Sequence, residues 1–177
     1  MKHTEIEAKI LNINPIEIRQ KLLDLGAKKI GQYDFRRYVF DTIPAASNRW
    51  IRLRSNGALT TMTVKEIEAD TVDGTKEWEV DVSDMDTALI ILEKIGLKPR
   101  GYQENKREEY DLDGSQITID FWPKLKPYIE IESQKPADIT KIAKRLGYSE
   151  GELVTSNTLE LYQEIGIDLN KVSELKF

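Results

Sequence analysis

The stretch WIRLRSNGALTTMTVK, residues 50–65, contains the pattern that recurs through most of the chain. Polar and apolar side chains alternate along WIRLR and again along LTTMTVK, which is typical of two β-strands that each bury one face. The Asn56-Gly57 pair between them favours a hairpin with a two-residue turn. Arg52 and Arg54 share one face of the first strand, opposite its apolar residues. The hairpin therefore predicts a sheet whose second face is charged.

The sequence predicts six further strands. Period-two alternation marks residues 4–11, 77–82, 117–122 and 128–132, whereas residues 30–41 form an aromatic-rich strand and residues 101–112 a polar strand. Asp113-Gly114 is a second turn signal. Apolar residues at helical spacing predict four helices, the first after Asn14-Pro15 and the last capped by Thr155 or Ser156. About eight strands and four helices in this order indicate an α+β fold.

The composition is that of an ordinary globular chain of 177 residues, 40% hydrophobic and 32% charged. A length of this order suits one domain, and we expect a single domain over residues 1–177. No stretch approaches the roughly 20 apolar residues of a membrane span. The N-terminus reaches Glu5 before any apolar run, which argues against a signal peptide. The expected location is cytoplasmic, with no membrane partner.

Several classes of chemistry are excluded by the residues that the sequence lacks. It has no Cys and a single His, His3. Disulfides, thiolate zinc sites, multi-histidine metal sites and a Ser-His-Asp triad are therefore set aside. The net charge of −5 disfavours nucleic acid as a partner, because binding to a phosphate backbone requires a basic excess. Any chemistry must rely on carboxylates, Lys, Arg, Tyr and hard cations.

On the charged faces of the strands, residues of opposite sign are segregated. Three strands carry a Glu-x-Glu pair, at Glu5 and Glu7, Glu77 and Glu79, and Glu130 and Glu132. Other positions on these faces carry Lys9, Arg52, Arg54, Lys65, Arg107 and Asp120. A solvated sheet face normally mixes signs, because neighbouring like charges repel each other.

Two arrangements satisfy this pattern. In one, helices cover the apolar sheet face and water covers the charged face, whose ion pairs contribute little to stability. In the other, the antiparallel sheet curls until the charged face surrounds a lumen, with the helices packed outside. Such a lumen would hold an anion and cations together. Lys and Arg suit phosphate oxygens, and paired carboxylates suit Mg²⁺ or Mn²⁺.

The ordered set of charged residues resembles the CYTH superfamily of triphosphate tunnel metalloenzymes. This superfamily includes class IV adenylyl cyclases, thiamine triphosphatases and inorganic triphosphatases. The resemblance begins with Glu5-x-Glu7-x-Lys9, continues through the charged residues of the later strands and covers about residues 2–165. It implies an eight-stranded antiparallel β-barrel, or tunnel, with helices packed outside.

The resemblance also implies roles for individual residues. It places Lys9, Arg52, Arg54, Lys65 and Arg107 around a triphosphate, Glu5, Glu7, Asp120, Glu130 and Glu132 around Mg²⁺ or Mn²⁺, and Glu77 and Glu79 as supporting acids. The implied partner is a small-molecule triphosphate such as ATP, thiamine triphosphate or tripolyphosphate, bound by a monomer or homodimer. Where many relatives have Lys two residues before the Arg of the sixth strand, this chain has Asn105. We therefore expect one phosphate contact to be missing.

Three functions remain open at this stage. Water attacking the terminal phosphorus gives a triphosphatase, which is favoured because it needs only the lumen, a metal and water. A ribose hydroxyl attacking the α-phosphorus gives an adenylyl cyclase, for which Trp50 and Trp122 are candidate borders of a base pocket. A non-catalytic polyphosphate-binding or nucleotide-binding module would tolerate loss of the carboxylates, and all of them are present. Lys9 is a candidate catalytic residue that helps to deprotonate the nucleophile, or a phosphate contact only.

Overall fold

The structure is a computed structural model that describes residues 2–69 and 71–177, and the side chains of residues 6–69 and 71–177. The strands are β1 Lys2–Glu5, β2 Glu7–Ile10, β3 Lys28–Ala46, β4 Arg49–Ser55, β5 Thr60–Ile67, β6 Thr75–Val82, β7 Pro99–Leu112, β8 Ser115–Phe121, β9 Tyr128–Glu132 and β10 Glu174–Leu175. The helices are α1 Pro15–Asp24, α2 Met85–Lys94, α3 Pro136–Arg145 and α4 Thr158–Glu164. Short 3₁₀ turns lie at Glu150–Glu152 and Leu169–Lys171.

The strands form one curled sheet in the order β1-β6-β5-β4-β3-β7-β8-β9-β2, with β10 added in parallel to β7. Every pairing along the main path is antiparallel. The two ends of this order, β1 and β2, are consecutive in the chain and are separated only by Ile6. With β1 and β2 counted as one strand, the described residues confirm the predicted eight-stranded antiparallel sheet of an α+β fold.

The N-terminal strand changes partners at Ile6. Before it, β1 pairs with β6, and after it, β2 pairs with β9. The free side of β2 is then satisfied by two loop segments. The Glu7 amide donates to the Val72 carbonyl at 2.8 Å, and the Lys9 and Val154 backbones exchange hydrogen bonds of 2.8 and 2.9 Å. The sheet therefore curls so that both of its edges meet along residues 2–10.

Helices cover most of the outer, apolar face of the sheet. One core packs Ile18 of α1 and Ile139 and Ile142 of α3 against the isoleucines of β8 and β9. A second core packs α2 against β3 and β4. A third joins Leu161 and Tyr162 of α4 to aromatic residues that follow β8 and begin β9. The hydroxyl of Tyr162 donates to the Pro123 carbonyl at 2.6 Å, which fixes α4 to the end of β8.

The outer face of β6 differs from the prediction. Its apolar residues were expected to lie beneath a helix, but Trp78 is 37% exposed and Val80 is 55% exposed. The reason is the placement of α2, whose buried residues Met85 and Leu92 contact the β3–β4 part of the sheet instead. No helix in the described part of the chain has the length and apolar character needed to cross a membrane.

The sequence predicted one hairpin turn correctly, but it was wrong about the length of a second turn and about the cap residue of α4. Asp113 and Gly114 form a two-residue turn with φ values of 56° and 80°, as predicted. The turn at Asn56 is longer, with residues 56–59 between the strands, because the Asn56 side chain accepts from the amides of Ala58 and Leu59. The cap of α4 is Asn157 and not Thr155 or Ser156.

We predict that Tyr162→Phe lowers the free energy of unfolding by about 1 kcal/mol, because the buried Pro123 carbonyl loses its donor. Urea denaturation measures the change. Tyr33→Phe is the control, since the described residues give the Tyr33 hydroxyl no hydrogen-bond partner. Equal effects of the two variants would contradict the role assigned to the hydrogen bond.

Candidate functional site

The concave face of the sheet encloses a cavity of about 730 Å³ that is open to solvent. Its walls include charged side chains from β2, β4, β5, β6, β7 and β9. Leu159 and Glu160 of α4, with the cap residue Asn157, line a further part of it. The charged strand face therefore surrounds a lumen and is not a solvated outer surface. Of the two arrangements that the sequence allowed, the structure adopts the second.

Most of the residues singled out in the sequence meet in this cavity. Its lining includes Glu7, Lys9, Arg52, Arg54, Lys65, Glu77, Glu79, Arg107, Glu130 and Glu132. The side chain of Glu5 lies outside the described residues. Asp120 is completely buried behind the wall and does not line the cavity.

Lys9 is held between two carboxylates. Its ammonium lies 3.0 Å from Glu7 and 3.0 Å from Glu130. Burial alone would lower the pKa of Lys9, but the two glutamates outweigh it and raise this pKa well above its ordinary value. The two glutamates therefore favour the charged form of the Lys9 side chain. A protonated ammonium favours the alternative of a phosphate contact, and the predicted role in deprotonating a nucleophile stays a prediction.

Arg107 is fixed by Asp120. The guanidinium donates twice to Asp120, through Nε and through a terminal nitrogen, each at 2.9 Å, and once to Glu130 at 3.1 Å. The Thr118 hydroxyl also donates to Asp120, at 2.7 Å. With both oxygens occupied and the side chain fully buried, Asp120 positions Arg107. The predicted role of Asp120 as a metal ligand stays a prediction.

Glu130 connects these two cations. Burial would raise the pKa of Glu130, but Lys9, Arg107 and Lys65 outweigh it and hold this pKa well below its usual range. Glu130 therefore remains a carboxylate that neutralises part of the charge on two neighbours.

A second group of ion pairs lies across β4, β5 and β6. Lys65 lies 2.5 Å from Glu77, while Arg52 approaches Glu77 at 3.5 Å and Glu79 at 3.4 Å. The Thr63 hydroxyl donates to Glu79 at 2.5 Å. The predicted supporting acids Glu77 and Glu79 therefore hold Arg52 and Lys65 on the cavity wall.

The structure also identifies a cavity residue that sequence reasoning missed. Arg37 of β3 lines the cavity, directly across from Arg54 in the β3–β4 register. Counting residues in twos from Phe35 would have placed Arg37 on the inner face, but no parity was assigned to this aromatic-rich strand. The neighbouring Arg36 points outward and is exposed.

The described carboxylates have the chemistry of a divalent-metal site without forming a complete one. Glu7 and Glu132 are direct cross-strand partners and both line the cavity, a like-charge pair that a cation would stabilise. Their oxygen donors suit Mg²⁺ or Mn²⁺, which usually also take phosphate and water ligands. Within the described side chains, however, no group of three acidic or histidine residues could hold a metal ion. Glu7 and Glu132 could therefore supply part of the ligands of such an ion, but not all of them.

Trp50 and Trp122, the two candidate residues for a base pocket, differ in how much of the ring is exposed to the cavity. Trp50 lines the cavity beside Lys65, its cross-strand partner, and is half-buried. Trp122 is 4% exposed, packs against Tyr162 and has the Arg37 guanidinium 4.3 Å from its ring centroid. Only Trp50 presents much of an aromatic surface to a bound molecule.

Comparison with known proteins identifies the family. The CYTH domain model matches residues 3–157, and the chain therefore belongs to the CYTH domain family. None of the curated proteins matches the sequence.

Solved structures share the fold. A protein of Pyrococcus horikoshii OT3 is 27% identical, with a TM-score of 0.77 over 89% of this chain and 98% of that one. A candidate adenylate cyclase of Vibrio parahaemolyticus is 15% identical, with a TM-score of 0.77 and coverages of 91% and 98%. A candidate adenylyl cyclase of Hippeastrum, described as having a dominant triphosphatase activity, is 18% identical, with a TM-score of 0.62 and coverages of 93% and 98%.

We predict that Glu130→Gln lowers the free energy of unfolding by about 3 kcal/mol at pH 7, because buried Lys9 and Arg107 lose a shared carboxylate. The pKa of Glu130 is depressed in the folded protein, so its stabilising effect is present above the unfolded pKa of about 4.3 and declines below it. The difference between wild type and variant should therefore shrink below about pH 4.

Urea denaturation at several pH values tests this prediction. Glu109→Gln is the matched control, because Glu109 lines the same cavity and forms no ion pair among the described residues. A pH-independent difference, or an equal loss in the control, would contradict the assigned role of Glu130.

Proposed function

We propose that this protein is a metal-dependent triphosphatase that binds the triphosphate group of its substrate in the lumen and hydrolyses a phosphoanhydride bond. The observation that carries the proposal is the inward-facing set of cations in a partly enclosed cavity, together with the paired carboxylates Glu7 and Glu132. Membership of the CYTH domain family supports the same class of substrate.

The cationic side chains would bind the phosphate oxygens. Lys9, Lys65 and Arg107 approach the cavity from different strands, and each is held in place by a carboxylate. Fixed cations in a partly enclosed site stabilise charge that develops on the phosphoryl oxygens, without having to reorganise during the reaction. Binding and orientation would therefore account for most of the rate increase.

Glu7 and Glu132 would hold the metal, with phosphate and water as the remaining ligands. A bound Mg²⁺ or Mn²⁺ supplies charge neutralisation and orients the attacking oxygen. Lys9 is protonated and so contributes positive charge to the phosphate site, while the cavity walls limit access of bulk water to the reacting groups.

An adenylyl cyclase is the second candidate. A cyclase must bind adenine and ribose in addition to phosphate, which requires an apolar surface with directed polar groups. Trp50, half-buried on the wall beside Lys65, supports this alternative. Because Trp122 is buried beneath Arg37, the aromatic surface for a base is smaller than the sequence suggested, and we rank hydrolysis first.

We predict that tripolyphosphate or a nucleoside triphosphate releases orthophosphate faster than ATP yields cyclic AMP. The assay measures both products from ATP, thiamine triphosphate and tripolyphosphate, each with Mg²⁺ and with Mn²⁺. Cyclic AMP with stoichiometric pyrophosphate and negligible orthophosphate would reverse the ranking. Binding without any product would instead indicate a non-catalytic module.

We also predict that turnover requires a divalent metal and that Glu132→Gln lowers kcat/KM on the order of a hundredfold, because an amide is a poorer ligand for a hard cation. Steady-state kinetics measure the loss, and thermal unfolding checks that the fold is intact. Glu93→Gln on the exposed face of α2 is the control. Full turnover in EDTA would refute the metal requirement.

A further inference from the structure

Arg37 occupies an unusual position among the cavity cations. It lies directly opposite Arg54 in the register of β3 and β4, although like charges at such positions repel each other. Among the described residues, neither guanidinium forms an ion pair with a carboxylate. Lys9, Lys65 and Arg107, in contrast, all have carboxylate partners. The pair of Arg37 and Arg54 is therefore the least compensated positive charge on the wall.

Neutral groups fix both guanidiniums. Arg37 donates to the side-chain oxygen of Asn105 and lies 4.3 Å from the Trp122 ring centroid. Arg54 lies 4.7 Å from the Phe35 ring centroid. Stacking on a ring holds the flat face of a guanidinium and leaves its edge, which carries the N–H groups, able to bind an anion. The environment therefore orients these two cations without neutralising them.

Burial and neighbouring positive charge disfavour the charged forms of Arg37 and Arg54, and both lower the pKa values of these groups. Burial, followed by the repulsion of Arg52, lowers the pKa of Arg37 to about 9. Burial, with Arg52 and Arg37, also holds the pKa of Arg54 well below its ordinary value. An anion bound between the two groups would reverse the electrostatic part of this penalty.

Two buried donors beside this pair lack acceptors. The Nε of Arg37 and the indole Nε1 of Trp122 have no hydrogen-bond partner among the described residues, and both side chains line the cavity. A buried donor without an acceptor costs free energy, and such groups in proteins usually have a partner. An oxygen-rich ligand would supply the missing acceptors.

We propose that Arg37, oriented by Asn105 and assisted by the Trp122 indole N–H, forms with Arg54 a subsite that binds one phosphoryl group of the substrate. The subsite rests on the proposed function for the identity of its ligand, but its binding of phosphate chains does not depend on turnover. Arg37 is then a binding residue contributed by β3, a strand to which the sequence assigned no charged-face residue.

The test measures binding of pyrophosphate and tripolyphosphate by isothermal titration calorimetry with no divalent cation added. Arg37→Gln should weaken tripolyphosphate binding roughly tenfold to hundredfold, the range for losing charge-assisted hydrogen bonds. Arg37→Lys, which keeps the charge but loses the planar fork, should have an intermediate affinity. Trp122→Phe, which keeps a ring and removes the N–H, should lose about threefold to tenfold. Arg36→Gln, on the same strand but exposed, should bind like wild type.

Thermal unfolding without ligand separates binding from folding. Arg37→Gln should be at least as stable as wild type, because it relieves repulsion with Arg52 and Arg54, and tripolyphosphate should raise its Tm less than it raises that of wild type. Unchanged affinity in Arg37→Gln would overturn the subsite and leave the proposed function standing. Wild-type binding with the expected variant pattern but without hydrolysis would overturn the proposed function and leave the subsite standing. Failure of the wild type to bind either anion without metal would overturn the subsite, while the product assay with Mg²⁺ or Mn²⁺ would still decide the proposed function.

Discussion

Repulsion among inward-facing cations is the constraint on which the rest of this structure depends. A sheet that curls brings charges from separate strands closer together, and a partly enclosed lumen screens them less than open water does. Glu130 reduces this repulsion by serving both Lys9 and Arg107, and Glu77 does the same for Arg52 and Lys65. The carboxylates of the lumen are therefore part of the scaffold as well as candidate metal ligands.

The change of partners at Ile6 makes this charge balance possible. Because β2 pairs with β9, Lys9 is placed directly opposite Glu130, and Glu7 directly opposite Glu132. The same short strand therefore produces one attractive and one repulsive cross-strand pair. The attractive pair fixes Lys9, while the repulsive pair is the feature that a divalent cation would stabilise. The break in the strand at Ile6 thus determines both how the sheet curls and which charged residues meet in the site.

Strand periodicity was sufficient to predict which residues face the lumen, because alternate side chains on a strand point to opposite faces. It placed Arg52, Arg54 and Lys65 correctly from the sequence alone. It could not predict that Asp120 is enclosed behind Arg107, since that depends on the register between β7 and β8. The exposure of Trp78 was missed for a similar reason, because the position of α2 depends on tertiary packing and not on the periodicity of β6.

The substitution that seemed to weaken the phosphate site has a different meaning in the structure. Asn105 is buried and accepts a hydrogen bond from Arg37, so a neutral residue on β7 lies against a cation from the neighbouring strand β3. Positive charge is therefore present at this point of the wall although β7 does not supply it. A lysine at position 105 would add a further cation beside Arg37 and Arg107, whereas the amide can satisfy both Arg37 and Asp120. Arg37 on the adjacent strand thus explains why residue 105 is neutral. A sequence motif that covers β7 alone contains no information about this neighbour.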